Sequence, residues 1–160
     1  MNKITIIGTG YVGLVTGVGM AEFGNKVICT DVDNTKIDNL NSGILPIYEP
    51  GLDEIIKRNR KDNRLFFSSN VEESIIQSDV IVIAVGTPEG KNGDADMSFV
   101  FSVAKTISKN INNYKLVVTK STVPVGSGKR IIDLINDKVN NQKLFDYVSN
   151  PEFLREGSAL

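Results

Sequence analysis

Apolar residues recur along this chain in two alternating rhythms. Short runs rich in β-branched residues, ITII at 4–7, KVICT at 26–30, LFF at 65–67, VIVIAV at 80–85, LVVT at 116–119 and YVS at 147–149, predict six strands. Several are apolar at successive positions, as a strand covered on both faces requires, so a parallel sheet is expected. Between them, segments 11–24, 34–42, 51–60, 71–77, 97–110 and 125–141 carry apolar residues at helical spacing. In the last, Ile131, Ile132, Leu134, Ile135 and Val139 make a stripe opposite Lys129, Asp133, Asp137 and Lys138. Strict alternation of strand and helix implies right-handed crossovers and a doubly wound, mostly parallel six-stranded α/β sheet. The strand order expected for two βαβαβ halves is 3-2-1-4-5-6, with any ligand lying over the strands' carboxyl ends.

Composition narrows the function classes. The 160 residues are one domain's worth of chain, with 41% hydrophobic and 23% charged positions and a net charge of -1. Such a balance speaks against binding nucleic acid or an anionic membrane by charge. The absence of histidine removes Ser-His-Asp chemistry and His-ligated metals from these residues, and one cysteine, Cys29, excludes an internal disulfide and a multi-Cys zinc site. The apolar N-terminal stretch is interrupted by Gly8, Gly10, Gly13, Gly17 and Gly19, so it does not read as a signal peptide, and a cytoplasmic protein is expected. After the sixth strand the chain stops without a further helix, the pattern of a domain, residues 1–160, cut from a longer protein.

The first chemical motif is Gly8-Thr9-Gly10-Tyr11-Val12-Gly13, directly after the first strand and opening the first helix. In that context G-x-G-x-x-G reads as a dinucleotide fingerprint and the sheet as a Rossmann fold. Gly8 permits the tight turn, Gly10 leaves room for a pyrophosphate, and Gly13 lets the helix pack closely. Unpaired amides at the helix start receive the phosphates. Asp31, ending the second strand, is placed to bond an adenosine ribose and to repel a 2′-phosphate, which favours NAD over NADP. It could instead cap the next helix, a role also open to Asp33 or Asn34. Lys36 lies either beside the ribose or in solvent. Cys29 sits inside its strand and reads as an inert core residue. Asp96 reads as a helix cap rather than a cation ligand, and no metal site is expected.

Three further segments follow strands at the same edge. Thr87, in Gly86-Thr87-Pro88, flanks the expected cofactor crevice or belongs to a plain turn. Thr122, in KSTVPVG at 120–126, and Glu152 and Glu156, in NPEFLREG at 150–157, bring a hydroxyl and two carboxylates to that edge. The carboxylates suit proton transfer or holding a water; equally, they read as a helix start with a surface ion pair from Arg155.

Together with PIYEPGL at 46–52 and VGTP at 85–88, these motifs resemble the N-terminal NAD-binding domain of the nucleotide-sugar dehydrogenase family over nearly the whole chain. The resemblance implies NAD as cofactor and oxidation of the C6 hydroxymethyl of UDP-glucose to the carboxylate of UDP-glucuronate, with two NAD and one water. In the family a cysteine captures the aldehyde, passes through a thioester and is freed by hydrolysis. Carried over, Asp31 and Lys36 match adenosine-ribose positions, and Thr122 and Glu152 match positions that activate water and handle protons. Glu156 matches a position near the nicotinamide. The dinucleotide set is Gly8, Gly10, Tyr11, Val12, Gly13, Asp31, Lys36, Thr87, Thr122 and Glu156; the sugar-nucleotide set is Glu152, Phe153, Leu154, Arg155 and Glu156. Cys29 does not match the family's nucleophile, which belongs to a later stretch together with the central dimer helix and the UDP-binding domain. This chain alone is therefore expected to be a monomer that binds NAD without turnover, and the longer protein a homodimer. GDP-mannose and UDP-N-acetylmannosamine dehydrogenases share these motifs. A non-catalytic NAD-sensing module and an FAD-binding domain are the other readings, the latter weakened by Asp rather than Glu at the ribose position.

Overall fold

The structure, a computed structural model, describes residues 1–90, 93–137 and 144–160. Strands and helices alternate: β1 (Lys3–Ile7), α1 (Tyr11–Glu22), β2 (Lys26–Thr30), α2 (Asn34–Asn41), α3 (Leu52–Lys61), β3 (Leu65–Ser68), α4 (Val71–Gln77), β4 (Val80–Ile83), α5 (Ser98–Asn110), β5 (Lys115–Thr119), α6 (Ser127–Asn136) and β6 (Phe145–Ser149). All five pairings are parallel, in the expected order β3-β2-β1-β4-β5-β6.

Burial on both faces explains the unbroken apolar runs. Ile4, Ile6 and Val82 join α1, α2 and α3 in one cluster with Leu14, Val18, Leu40, Leu52 and Ile56. Their strand neighbours Ile7, Ile81 and Ile83 join α4, α5 and α6 in the other, with Ile75, Val100, Ile107, Ile131 and Ile135. β4 stops at Ile83, two residues short of the apolar run, because the Val85 carbonyl leaves the ladder and accepts from the Ser121 hydroxyl at 2.6 Å. α6 starts at Ser127, not 125: Gly126 is left-handed at φ 88° and the Ser127 N–H closes a turn onto the Pro124 carbonyl. Val139 of the expected stripe and Lys138 of the face opposite it lie outside the described residues. No helix among the described residues is long and apolar enough to cross a membrane.

Lys115 was not singled out by the sequence pattern, yet it is fully buried at the amino edge of the sheet, away from the ligand edge. Its ammonium donates to the Ser78 and Ile76 carbonyls, at 2.6 and 3.3 Å, and to Asn113 Oδ1, at 2.9 Å, closing the end of α4. Burial pushes its pKa below the ordinary lysine value.

The α1–β2 contact depends on one missing methyl group. A Cβ on Gly17 would run into Cys29 Sγ and stand 3.2 Å from Ile6 Cγ1. Gly17→Ala should therefore cost about 1–2 kcal/mol net, overpacking outweighing the gain in helix propensity. In a Cys29→Ala background that cost should shrink or change sign. Melting the two single variants and the double variant measures the coupling, and strictly additive shifts would contradict it.

Candidate functional site

Only Gly8, Thr9 and Gly10 connect β1 to α1. Gly8 has φ +106°, a Cβ there would stand 2.6 Å from the Ala84 carbonyl oxygen, and its N–H donates to the Thr30 carbonyl at 2.8 Å. The loop is thus pressed between β2 and β4. A Cβ on Gly13 would run into the Gly8 carbonyl oxygen and reach 3.3 Å from Ala84 Cβ, so α1 sits this close only because position 13 is glycine. Gly10 is different. Its φ of -73° suits any residue, and nothing lies within 4 Å of where its Cβ would be. Neither conformation nor packing asks for glycine there, which leaves clearance for a ligand over the loop. No side chain caps α1, so its first amides remain available to an anion.

Asp31, the residue after β2, is buried against this loop. Its Oδ2 accepts from the Thr9 N–H at 3.0 Å and the Thr9 hydroxyl at 2.9 Å; its Oδ1 accepts from the Asp33 N–H at 3.1 Å. Lys36 Nζ stands 3.6 Å from Oδ2. Burial works to raise the pKa, but the bonds from Thr9 and Asp33 and the nearby Lys36 charge outweigh it, and the carboxyl is held below the ordinary aspartate value. Asp33, not Asp31, caps α2, accepting from the Thr35 and Lys36 amides. Asp31 is therefore a carboxylate that pins the glycine loop and stays ionised beside it. Next to it opens a cleft of about 570 Å³ whose walls include Gly8, Asp31, Val32, Val71, Phe99 and Val103. Val32 and Phe99 are exposed there, offering apolar surface to a flat ring.

The loops after β4, β5 and β6 are tied together at the same edge. Thr87 donates its hydroxyl to the Thr122 carbonyl at 2.9 Å, and Lys120 Nζ donates to Asn150 Oδ1 at 3.0 Å. Thr122 itself is exposed and its hydroxyl remains available. The helix start considered for Glu152 does not form. Glu152 Oε2 instead accepts from the Leu154 N–H at 2.8 Å, and a turn follows in which Gly157, at φ +83°, lets the Ser158 N–H reach the Arg155 carbonyl. Glu156 and Phe153 are exposed, and none of the ion pairs among the described residues involves Arg155. Asp96 is not the N-cap expected of it: Met97 holds that position in α5 without a side-chain cap, and Asp96, one residue earlier, accepts the Ser98 N–H at 2.8 Å.

Residues 2–160 match the model of the UDP-glucose/GDP-mannose dehydrogenase family, NAD binding domain. The chain belongs to this family. As an NAD binding domain of the family it is similar to the UDP-glucose 6-dehydrogenase TuaD of Bacillus subtilis, at 52% identity over 100% of this chain and 35% of that relative. It is similar in structure to a UDP-glucose dehydrogenase from the hyperthermophilic archaeon Pyrobaculum islandicum (TM-score 0.93, 39% identity, 99% of this chain and 38% of that one). A GDP-mannose dehydrogenase from Pseudomonas aeruginosa superposes equally well (TM-score 0.93, 38% identity, 99% of this chain and 38% of that one). The chain thus spans little more than a third of the length of these relatives.

Within this NAD binding domain, the tertiary structure adds a residue that sequence reading left without a role. Glu49, between α2 and α3, is only 4% exposed. Its Oε2 accepts from the Tyr11 hydroxyl and the Gly157 N–H, and its Oε1 from the Ala159 N–H, all at 2.7 Å. The Tyr11 bond, then the Ala159 amide, holds this carboxyl below the ordinary glutamate value against the pull of burial, with Gly157 adding to the effect. Tyr11 is raised to about 12, by desolvation first and by Glu49 next. The signal available beforehand was an acid set between prolines and a tyrosine in PIYEPGL, which does not say what it meets. Cys29 is fully buried and its thiol is pushed up to about 12 by desolvation, so it stays protonated and out of reach of the ligand edge.

Proposed function

We propose that this chain is the cofactor-binding part of a longer enzyme that oxidises the C6 hydroxymethyl of UDP-glucose to the carboxylate of UDP-glucuronate. The observation that carries this is the joining, at one sheet edge, of the glycine loop, the Thr87–Thr122 bond and the Glu152 segment, in a chain half identical to a relative named UDP-glucose 6-dehydrogenase. NAD supplies the hydride acceptor when bound. Gly8, Gly10, Tyr11, Val12 and Gly13 hold its pyrophosphate, Asp31 and Lys36 its adenosine ribose, and Thr87, Thr122 and Glu156 its nicotinamide half. Asp31 also disfavours the 2′-phosphate of NADP by charge. Thr122 and Glu152 orient water and carry protons, and residues 152–156 contact the sugar nucleotide. Cys29, buried and protonated, is not the nucleophile; that group comes from outside this chain, which alone binds NAD without turnover. The longer protein is a homodimer and this chain a monomer.

GDP-mannose is the second substrate reading, favoured by the equal TM-score of the GDP-mannose dehydrogenase. A direct test compares UDP-glucose and GDP-mannose as substrates of the longer protein and of its Thr122→Ala and Glu152→Gln variants. The expected result is NAD-dependent oxidation of UDP-glucose that falls at least about tenfold in each variant, the range of a lost general acid–base or water-orienting group. NAD binding, read by the rise in melting temperature, should stay nearly intact. Unchanged turnover in both variants would remove the assigned roles.

A further inference from the structure

The dinucleotide and sugar-nucleotide residues assigned above gather at the sheet's carboxyl edge, on loops and on the first turns of α1 and α2, and residues 150–160, after β6, form no strand or helix of their own. Among the described contacts of this last segment, two of its amides end on one side chain, Glu49, 108 and 110 residues away in sequence. The same carboxylate accepts from Tyr11, the first residue of α1 and part of the glycine loop. Its position is itself fixed. The Glu49 carbonyl accepts from the Leu52 N–H at 3.1 Å, Gly51 at φ +80° turns the chain into α3, and Leu52 is fully buried in the core. None of the ion pairs among the described residues involves Glu49, so a buried charge is balanced there by three neutral donors. Such a charge is tolerated only while its donors stay in place, and the donors are correspondingly held by it.

We propose that Glu49 is a positioning residue for the reaction: by joining Tyr11 to the Gly157 and Ala159 amides, it fixes the segment bearing Glu152 and Glu156 relative to the dinucleotide loop. This rests on the function proposed above. Glu49 touches no reacting atom. It sets where two other groups sit, and a displacement of about 1 Å at such groups costs on the order of a hundredfold in rate. Glu49→Gln keeps the shape but replaces one acceptor oxygen with an NH2 group that faces another donor. Tyr11→Phe keeps both amide bonds and removes the hydroxyl's bonds to Glu49, at 2.7 Å, and to the Arg155 carbonyl, at 3.5 Å.

Hydrogen exchange at the Gly157 and Ala159 amides tests the anchor in this chain. Glu49→Gln should speed exchange at both by about tenfold or more, while Tyr11→Phe changes it less, since charge-assisted bonds to the two amides survive. In the longer enzyme, Glu49→Gln should lower kcat by about tenfold or more at saturating substrates, with the NAD dissociation constant within about twofold of the parent. Unchanged exchange in Glu49→Gln overturns the proposal. So does faster exchange with an unchanged kcat, because the bonds would then serve folding alone, and so does a loss confined to NAD affinity. Should Glu49→Gln fold poorly, Tyr11→Phe carries the decision: kcat must fall while both amides stay protected. A parent enzyme that oxidises no nucleotide sugar would refute the functional reading instead, and the exchange comparison would still show whether Glu49 holds the segment.

Discussion

Gly13→Ala is expected to abolish NAD binding and to destabilise the domain by about 3 kcal/mol, the upper range for overpacking against atoms that cannot yield. The added methyl group would meet the Gly8 carbonyl oxygen, a backbone atom whose loop is itself held by the bond to Thr30 and by contact with Ala84. For a domain of this size the loss corresponds to a fall of about 6–12 °C in melting temperature. Gly10→Ala is the matched control. Open space around its Cβ and an ordinary φ mean that the melting temperature without ligand should change by no more than the small cost of alanine at a helix N-cap, about 1 kcal/mol. Yet the methyl group would occupy the clearance proposed for the pyrophosphate, and the rise in melting temperature with NAD should disappear. If Gly10→Ala still responds fully to NAD, the ligand does not pass over this loop.

Asp31→Asn separates the structural and ligand roles of the second-strand acid. The carboxylate takes two bonds from Thr9 and one from Asp33, and bonds to a charged, largely buried group are worth about 1.5–3 kcal/mol each when broken. Asparagine keeps one acceptor oxygen, so a loss of about 2–3 kcal/mol is expected, together with a fall in NAD affinity of about tenfold or more. The pH dependence has a fixed sign. Because the folded-state pKa of Asp31 is depressed, its contribution is complete above the unfolded aspartate value of about 3.9 and is lost as pH falls through the folded value. The stability gap between parent and Asp31→Asn should therefore be constant from about pH 5 upward and shrink below about pH 4. A gap that grows on acidification would contradict the charged state assigned here.

The two kinds of position were unequally legible. Gly8, Gly10 and Gly13 were readable because their spacing after an apolar strand has few physical explanations, and Asp31 because it follows the second such strand at the distance that brings two adjacent parallel strands' ends together. The structure then divided the glycines by cause: positions 8 and 13 are required by backbone contacts, position 10 by neither contact nor conformation. The strand and helix boundaries shifted by a residue or two wherever a side chain competed with the ladder, as Ser121 does at Val85, or where a left-handed glycine delayed a helix, as Gly126 does before α6. The segment 150–157 shows the limit of local reading. Its acids near a proline suit a helix start as well as they suit a turn; the structure has the turn, with Glu152 accepting from the Leu154 amide and the Gly157 amide donating to Glu49 more than a hundred residues away.

The sequence by itself determined the α/β class, the strand order, the doubly covered sheet and the place of the glycine loop, because hydrophobic periodicity and glycine spacing are local properties that chain geometry converts into one topology. Only the tertiary structure decided what Asp31 holds and that Glu49 binds Tyr11 to the segment after β6. These are pairings between residues far apart in the chain, each fixed by burial and by the directions in which the folded backbone presents its donors, and no local pattern encodes a partner.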